Sequence, residues 1–460
     1  MATLQSINPH DQSVVGELLI SSATDVASAV ADARMAYHLW RRTPIEKRIE
    51  YIKKFRDLVA LNKEKIGKTQ TLEMGKPLDQ SLSDIDQECE FLDYYTNKGP
   101  ENLADEVMGE SEKERFRVVY EPYGVVAVIA PWNFPLGMAC SGIIPALIAG
   151  NTVVFKPSEY TSLSQKIVVD LLREAGLPEG VANLVIGGAE VGRMLVDAPV
   201  ALVWFTGSTS AGQEIYKKCG EKFIKALLEL GGSNPGIIFA DADLDALMNG
   251  LFYARFFNCG QVCSAVKRMF VERPIYETFV QKYVERLRAV KIGNPLDAVD
   301  LGPLVNKKQL AGLEAQVADA VAKGAKVEIG GKRPSDPALV QGNYYEPTVL
   351  TSVTPDMKVL TEEVFGPVLP VVPFDTEEEA VRLANTTPYG LGSEIFTNDL
   401  ARAERLAHEL ESGVVSANNI LYYRPFCPIG GMKQSGMGRE YGRIGMQEFA
   451  QVKLIALPKV

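Results

Sequence analysis

Short apolar runs that alternate with helical segments from residue 125 onward constrain the fold more than any other feature of the sequence. The runs are rich in β-branched residues and occupy positions 125–129, 152–155, 183–186 and 202–205. The helical segment 163–175 has Thr161 or Ser162 as a candidate N-cap, and Gly176 and Pro178 lie just beyond its end. Strands and crossover helices in this order predict a parallel α/β sheet.

A second unit of the same kind is expected after residue 231, because further strand-like runs occur at 236–239, 368–372 and 413–416. A chain of 460 residues is long enough for two or three domains of about 150 residues each. The first hundred residues are predicted to be helical, with apolar residues at helical spacing in 25–41 and 46–61. We therefore predict an α/β fold with two wound parallel-sheet domains.

The segment 102–122 is interpreted as an exposed β-arm. Residues 116–120 alternate as in a strand, but the segment is too polar for the centre of a sheet. The run 454–457 near the C-terminus could pair with this arm or with another subunit.

Charge and hydropathy argue against nucleic-acid and membrane partners. Lys and Arg number 48 against 58 Asp and Glu, a net charge of −10, which disfavours attraction to nucleic acid or anionic lipid. The stretch 122–155 contains no charged residue, but prolines, glycines and asparagines interrupt it too often for a membrane span, so we interpret it as buried core. The N-terminus has no basic start followed by an apolar run, and a cytoplasmic protein is expected.

Six cysteines and three histidines limit the possible chemistry. The cysteines form no C-x-x-C pair and have no neighbouring histidine, so zinc fingers, iron–sulfur centres and a disulfide scaffold are disfavoured. No metal site is expected. Because the histidines lie far apart, we expect a carboxylate to serve as any catalytic base.

Four places carry candidate chemistry. The Gly/Ser turn within 205–212 could hold a phosphate at a helix N-terminus, or it could be an ordinary strand-to-helix turn. Cys263 follows a Gly-Gln turn and is either an exposed nucleophile or a buried core residue. Glu229 stands in an apolar frame that would raise the pKa of its carboxyl, and Asn133, between two prolines, could donate to an oxyanion.

With these residues in place, the chain resembles the NAD(P)-dependent aldehyde dehydrogenases along nearly its whole length. Cys263 and Glu229 are 34 positions apart, as they are in that family. The matching segments follow the family's order and are 131–135, 156–159, 205–212, 229–232, 258–263, 362–367 and 430–439.

The resemblance implies a role for each domain. Residues 1–101 and 123–230 would form a Rossmann-like cofactor-binding domain, and residues 231–447 the catalytic domain. Residues 102–122 and 448–460 would form an oligomerisation arm, which implies a homodimer or a homotetramer.

The resemblance also assigns the chemistry. Cys263 would attack the aldehyde, Asn133 and the backbone N–H of Cys263 would hold the oxyanion, and Glu229 would activate the water that hydrolyses the thioester. The cofactor would be NAD, with NADP possible, because a carboxylate at Glu159 accepts from the ribose 2′-hydroxyl and repels a 2′-phosphate. The implied cofactor-binding residues are Trp132, Lys156, Ser158, Glu159, Gly207, Ser208, Leu230, Glu363 and Phe365.

The nearest resemblance is to the bacterial succinate-semialdehyde dehydrogenases, which suggests succinate semialdehyde as the substrate. Two positions that carry arginine in that group hold Ser141 and Phe257 here. Arg424 could replace them as the partner of a distal carboxylate, with Arg255 as a weaker candidate, although either arginine could instead form an interdomain or surface salt bridge. Tyr422, Tyr423 and Phe257 would otherwise suit an aromatic or aliphatic aldehyde.

Three other interpretations stay open. A cysteine hydrolase would use Cys263 without a cofactor, a CoA-acylating relative would not need Glu229, and a catalytically silent binding protein would need neither residue. Cys259 could form a reversible disulfide with Cys263, or it could be a small packing residue.

Overall fold

The computed structural model describes residues 2–419 and 423–459. The strands within this part of the chain are β1 (Thr3–Ile7), β2 (Val14–Leu19), β3 (Glu106–Glu110), β4 (Glu114–Pro122), β5 (Val125–Ile129), β6 (Thr152–Lys156), β7 (Ala182–Leu184), β8 (Leu202–Thr206), β9 (Lys225–Glu229), β10 (Asn234–Ile238), β11 (Val266–Glu272), β12 (Lys326–Ile329), β13 (Thr348–Thr351), β14 (Val368–Phe374), β15 (Tyr389–Gly390), β16 (Gly392–Phe396), β17 (Val414–Ala417), β18 (Met432–Lys433), β19 (Gly436–Met437) and β20 (Ala450–Pro458).

The helices surround these strands and also connect them. They are α1 (Ala23–Trp40), α2 (Ile45–Leu61), α3 (Lys63–Met74), α4 (Leu78–Asn102), α5 (Pro135–Ala149), α6 (Ser162–Glu174), α7 (Ala189–Asp197), α8 (Thr209–Lys222), α9 (Leu244–Phe256), α10 (Tyr276–Arg288), α11 (Lys307–Ala322), α12 (Lys358–Thr361), α13 (Glu377–Asn385), α14 (Leu400–Glu409) and α15 (Gly442–Gln447).

The first sheet has the order β19-β9-β8-β5-β6-β7 and is parallel apart from β19. Strands β5 to β8 coincide with the four predicted runs to within two residues at each end. The uncharged stretch is explained by burial, because β5 and β6 are buried at every position and α5 between them is almost entirely buried. In the part of the chain that the structure describes, no helix is long and apolar enough to cross a membrane.

The second sheet has the order β12-β13-β14-β11-β10-β16-β17, with β12 antiparallel at its edge. Three of its strands, β10, β14 and β17, lie at the predicted runs. The prediction of two wound α/β units is therefore confirmed. The predicted domain boundaries stay predictions. Tyr441 and Met446, which fall within the predicted catalytic domain, and Phe449, which falls within the predicted arm, all pack in the hydrophobic core of the first sheet.

The arm is a three-stranded antiparallel sheet of order β20-β4-β3. Strand β20 pairs with β4 over its whole length, from Ala450 opposite Pro122 to Pro458 opposite Glu114. The predicted pairing of the C-terminal run with the arm is thus present within one chain.

The N-terminus departs from the helical prediction. Strands β1 and β2 form an antiparallel hairpin before α1 begins. Their side chains are mostly exposed or half-buried, so the apolar alternation that identifies a strand is weak. The helices predicted at 25–41 and 46–61 correspond to α1 and α2.

Gly142 in α5 allows this helix to lie directly on the first sheet. A Cβ at this position would lie 2.6 Å from Val128 Cγ1 and 2.8 Å from ring atoms of Trp204. We expect Gly142→Ala to lower the free energy of unfolding by about 1–3 kcal/mol through overpacking, as measured by denaturant titration.

The matched control is Gly312→Ala in α11, where an added Cβ meets no atom within 4 Å. Alanine is favoured over glycine in a helix, so this variant should be neutral or more stable by up to about 1 kcal/mol. Equal stability of the two variants would contradict the close packing at Gly142.

Candidate active site

The site lies where the order of the first sheet reverses. From β5 the chain proceeds to β6 and β7 on one side of the sheet and then to β8 and β9 on the other. The loops after β5 and β8 therefore meet at the carboxyl edge of the sheet and carry Trp132, Asn133, Gly207 and Ser208. Open parallel sheets bind ligands in the crevice at this kind of position.

Ser208 is the N-cap of α8 and lies within the Gly/Ser turn that the sequence presents as a candidate phosphate site. Its hydroxyl accepts from the amide of Ala211 at 3.4 Å. The amide of Gly207 donates to the carbonyl of Glu229 at 3.0 Å, which joins the end of β8 to the end of β9. The first amides of α8 and the positive end of its dipole are suited to a pyrophosphate. Leu230, the residue after Glu229, is buried, and its side chain packs against Gly212 of α8.

Lys156 ends the neighbouring strand β6, and its side chain is buried. The ammonium donates to the carbonyls of Pro157 at 2.6 Å and Gly187 at 2.9 Å. Burial lowers the pKa of Lys156 to about 8, and the nearby Glu159 opposes this change. Ser158 is buried beside it, and Glu159 is half-buried. The structure thus collects a cation, a hydroxyl and a carboxylate at the end of β6.

The segment before Cys263 has an unusual backbone. Asn258, Cys259 and Gly260 all have positive φ, at 52°, 56° and 71°. A left-handed conformation costs a non-glycine residue about 1–2 kcal/mol, so the first two residues must be held by their surroundings. At Gly260 a side chain is also excluded, because a Cβ would lie 2.5 Å from the carbonyl oxygen of Gly366.

Side-chain amides hold this segment in place. Asn133 Nδ2 donates to the carbonyl of Gln261 at 3.1 Å, and Asn258 Nδ2 donates to the carbonyl of Asn133 at 3.1 Å. Gln261 Oε1 accepts from the amide of Val305 at 2.9 Å, and Gln80 Oε1 accepts from the amide of Asn258 at 2.9 Å. Asn133 therefore lies against the loop that carries Cys263, and its role as an oxyanion donor stays a prediction. The supporting roles of Asn258, Gln261 and Gln80 were not predicted from the sequence.

Glu229 ends β9, and its Oε1 atom is buried without a hydrogen-bond partner among the described residues. Burial raises the pKa of Glu229 well above its usual value, and the carboxyl of Glu440 adds to the effect. Arg439 and the amide of Gly431 oppose it. The raised pKa agrees with what the apolar sequence context predicts.

Burial also raises the pKa of the Cys263 thiol, to about 12. Lys267 opposes this rise, whereas Glu363, Glu229 and Glu440 add to it. These groups are therefore near enough to act electrostatically on the thiol. Cys259 is a buried free thiol whose pKa burial raises to about 12, and the proposed reversible disulfide stays a prediction.

Glu363 and Phe365 belong to the loop before β14. The carboxylate of Glu363 accepts from the amide of Gly232 at 3.1 Å and pairs with Lys267. The ring of Phe365 meets Trp132 edge to face at 5.6 Å between centroids. This contact brings the loops of the two sheets together. Lys267 was not singled out from the sequence, although two adjacent cations, Lys267 and Arg268, between apolar residues shortly after the cysteine are a detectable signal.

The predicted substrate residues are placed in different surroundings. Phe257 stacks on Phe134 with 6.3 Å between ring centroids, and Tyr423 is hydrogen-bonded to Ser264, the residue after the cysteine. Arg424 is exposed. Tyr422 lies outside the described residues.

The suggestion that Arg255 could bind a substrate carboxylate is wrong. Its guanidinium is fully buried. It donates to the carbonyls of Val364 and Gly366, in the loop before β14, and to the carbonyl of Val368, the first residue of β14. Arg255 therefore supports the loop that carries Glu363 and Phe365. Ser141 holds one of the two positions that carry arginine in the succinate-semialdehyde dehydrogenases, and its hydroxyl donates to the hydroxyl of Tyr441 at 2.8 Å.

Comparisons with known proteins show what the chain as a whole is similar to. The sequence pattern of the aldehyde dehydrogenase family matches residues 2–455. A betaine aldehyde dehydrogenase of Bacillus subtilis is 40% identical, covering 97% of this chain and 92% of its own. A mitochondrial succinate-semialdehyde dehydrogenase of Oryza sativa is 37% identical, covering 99% and 86%.

A solved structure matches over nearly the whole fold. The crystal structure of betaine aldehyde dehydrogenase from Staphylococcus aureus in complex with NAD+ superposes with a TM-score of 0.96 at 36% identity, covering 99% of this chain and 91% of that one. The chain therefore belongs to the aldehyde dehydrogenase family.

Proposed function

We propose that this protein oxidises an aldehyde to a carboxylic acid, with NAD bound at the carboxyl edge of the first sheet. The observation that carries the proposal is that three groups meet at one loop. The side-chain amide of Asn133 donates to the carbonyl of Gln261 in the loop that carries Cys263, and the carboxyl of Glu229 acts electrostatically on the Cys263 thiol. A nucleophile, an oxyanion donor and a base are what acyl-transfer chemistry of this kind requires.

In the first half of the reaction, the Cys263 thiolate adds to the aldehyde carbonyl carbon. The oxygen of the tetrahedral thiohemiacetal accepts from the side-chain amide of Asn133 and from the backbone N–H of Cys263. Both donors are fixed before the substrate arrives, because the amide network holds Asn133 against Gln261. Loss of hydride from the carbon leaves a thioester on Cys263.

In the second half, Glu229 takes a proton from water, which attacks the thioester and releases the acid. A carboxyl with a raised pKa is a stronger base than one in water, and its pKa is better matched to neutral pH. The burial of Glu229 therefore supports this role. The same residue argues against a CoA-acylating enzyme, which would not need a water-activating base.

The donor set at the sheet edge fits a dinucleotide. Lys156 has a third N–H beyond the two accepted by carbonyls, Glu159 can accept from ribose hydroxyls, and the α8 N-terminus after Ser208 can hold the pyrophosphate. We assign Trp132, Ser158, Gly207 and Leu230 to the walls of this site, and Glu363 and Phe365 to its nicotinamide end. When bound, the oxidised nicotinamide supplies the hydride acceptor.

The arm supports a homodimer or a homotetramer. Its sheet exposes apolar side chains that a partner could cover, among them Val107, Met108, Val452, Leu454 and Leu457.

For the substrate we propose succinate semialdehyde or another short aldehyde with a carboxylate at its far end. The name of the Oryza sativa relative and the position of Arg424 beside Tyr423 support this choice. The aromatic rings of Phe257 and Tyr423 and the name of the Bacillus subtilis relative favour a second candidate, a quaternary ammonium aldehyde.

Reduced nicotinamide should form when the protein is mixed with aldehydes and NAD, without any need for CoA. We expect a higher kcat/KM with NAD than with NADP. Glu159→Gln should lower the ratio of kcat/KM with NAD to kcat/KM with NADP about tenfold, because about 1.4 kcal/mol of repulsion toward the 2′-phosphate of NADP is removed. Absence of reduction with every aldehyde in a panel would overturn the proposed function, and a preference for NADP would overturn the cofactor assignment.

Glu229→Gln should separate the two halves of the reaction. We expect a burst of one reduced nicotinamide per active site and then turnover slowed about 10²- to 10⁴-fold, because the thioester is formed but not hydrolysed. Rapid-quench mass spectrometry should find the acyl group on Cys263. Cys263→Ser is the control and should give no burst, and wild-type turnover by Glu229→Gln would rule out the base assignment.

Arg424→Ala should raise the KM for succinate semialdehyde about 10- to 100-fold with little change in kcat. The basis is the loss of a charge-assisted hydrogen bond of about 1.5–3 kcal/mol. Propanal, which has no distal carboxylate, is the control substrate and should be unaffected. An unchanged KM for succinate semialdehyde, with betaine aldehyde turned over more efficiently, would favour the second candidate.

A further inference from the structure

Lys267 is a fully buried cation at the base of the candidate active site. It is the second residue of β11, and its side chain has no exposed surface. The ammonium donates to the carbonyl of Gly232 at 2.9 Å, to the carbonyl of Cys263 at 3.1 Å and to the carboxylate of Glu363. These three acceptors match the three N–H groups of a lysine, so the charge is completely coordinated.

The three acceptors belong to three different parts of the site. Gly232 follows Glu229, Cys263 is the nucleophile of the proposed reaction, and Glu363 stands at the proposed nicotinamide end. Asn234 Nδ2 donates to the carbonyl of Cys263 as well, at 2.9 Å. Two donors therefore anchor the backbone of the nucleophile from the side of the second sheet.

The ammonium also faces the aromatic wall of the site. Its nitrogen lies 5.1 Å from the ring centroid of Phe365, which contacts Trp132. A cation in this position is held by the ring as well as by Glu363. A buried charge is costly unless it is paired, so its retention at the reacting centre calls for a functional explanation.

We propose that Lys267 positions the nucleophile loop against Glu363 and supplies the positive charge that stabilises the Cys263 thiolate. The inference rests on the proposed role of Cys263 as nucleophile. It adds a residue outside the three to which the chemistry has been assigned.

The surrounding charges explain why such a cation is needed. Three carboxyl groups raise the pKa of the Cys263 thiol: Glu363 from the loop before β14, Glu229 from β9 and Glu440 from the segment before α15. Lys267 acts in the opposite direction. Lys267 itself faces Glu363, which favours its charged form, while burial and the guanidinium of Arg255 in α9 oppose it.

The test measures thiolate formation directly, in the full-length protein without cofactor. The rate of iodoacetamide alkylation of Cys263 is followed against pH and located by mass spectrometry. Lys267→Met should lower the alkylation rate about tenfold or more at a fixed pH below the midpoint, which corresponds to an upward shift of the profile by about one pH unit or more, since an opposite charge at close range lowers a pKa by about 1–3 units. Lys267→Arg should restore part of the wild-type profile.

Glu363→Gln should move the midpoint in the opposite direction, because it removes a negative charge near the thiol. If each substitution only loosened the packing of the site, the alkylation profiles of Lys267→Met and Glu363→Gln would shift in the same direction. Opposite shifts of the two profiles therefore identify an electrostatic effect. Lys222→Met is the matched control. That lysine also donates to backbone carbonyls, those of Val196 and Ala198, but it lies at the end of α8 remote from Ser208, and its removal should leave the profile unchanged.

A wild-type alkylation profile for folded Lys267→Met would overturn the inference. If that variant does not fold, an unshifted or upward-shifted Glu363→Gln profile would overturn it. Failure of the proposed function is distinguishable, since it would appear as no reduction of the nicotinamide by the wild-type protein with any aldehyde, whatever the alkylation profile of Cys263.

Discussion

The carbonyl of Gln261 is the point on which the geometry of the site depends. It accepts from Asn133, which follows the first sheet, and more distantly from Asn258 within the nucleophile segment. The segment needs this support because two of its non-glycine residues are left-handed, at about 1–2 kcal/mol each. Each buried hydrogen bond contributes about 0.5–1.5 kcal/mol. The four bonds that involve the side chains of Asn133, Asn258, Gln80 and Gln261, two as donors and two as acceptors, are therefore of the size required to offset the strain.

This arrangement has a consequence for catalysis. The side-chain amide of Asn133, which is proposed to donate to the oxyanion, also donates to the carbonyl of Gln261 in the nucleophile loop. The loop therefore cannot move away from Asn133 without losing that hydrogen bond. The distance between nucleophile and oxyanion donor is therefore set by the fold before a substrate binds. Preorganised donors of this kind need no rearrangement as charge develops, which makes them effective in catalysis.

The fold was predictable where local pattern and burial agree. Strands β5, β6, β8 and β14 are apolar runs bounded by turn residues, and the structure buries nearly all of their side chains. The hairpin β1–β2 was missed because its side chains are largely exposed and carry no alternation. Strand β11, central in the second sheet, was missed because Lys267 and Arg268 interrupt its apolar pattern.

The same limit applies to the site. Glu229 and Asn133 could be singled out because their immediate neighbours in sequence define their environment. The carbonyl groups around Arg255 belong to residues more than 100 positions away, at 364–368, and the carboxylate that pairs with Lys267 is that of Glu363, so local sequence contains neither. Arg255 was consequently considered for a substrate role that its buried carbonyl partners exclude.

The residues proposed for catalysis and those proposed for substrate choice lie in different parts of the structure. Asn133 and Glu229 follow or end strands of the first sheet, and the backbone carbonyl of Cys263 accepts from the side chains of Lys267 and Asn234. Phe257 instead lies in the 3₁₀ turn that follows α9, and Tyr423 lies in the loop between β17 and β18. Side chains on such segments can change without moving the strand ends, because they contribute little to the sheet hydrogen bonds. Relatives named for betaine aldehyde and for succinate semialdehyde can therefore share one fold and one chemistry. In the proposed function, differences in specificity therefore arise at Phe257, Tyr423 and Arg424, and reactivity arises from the charges around Cys263.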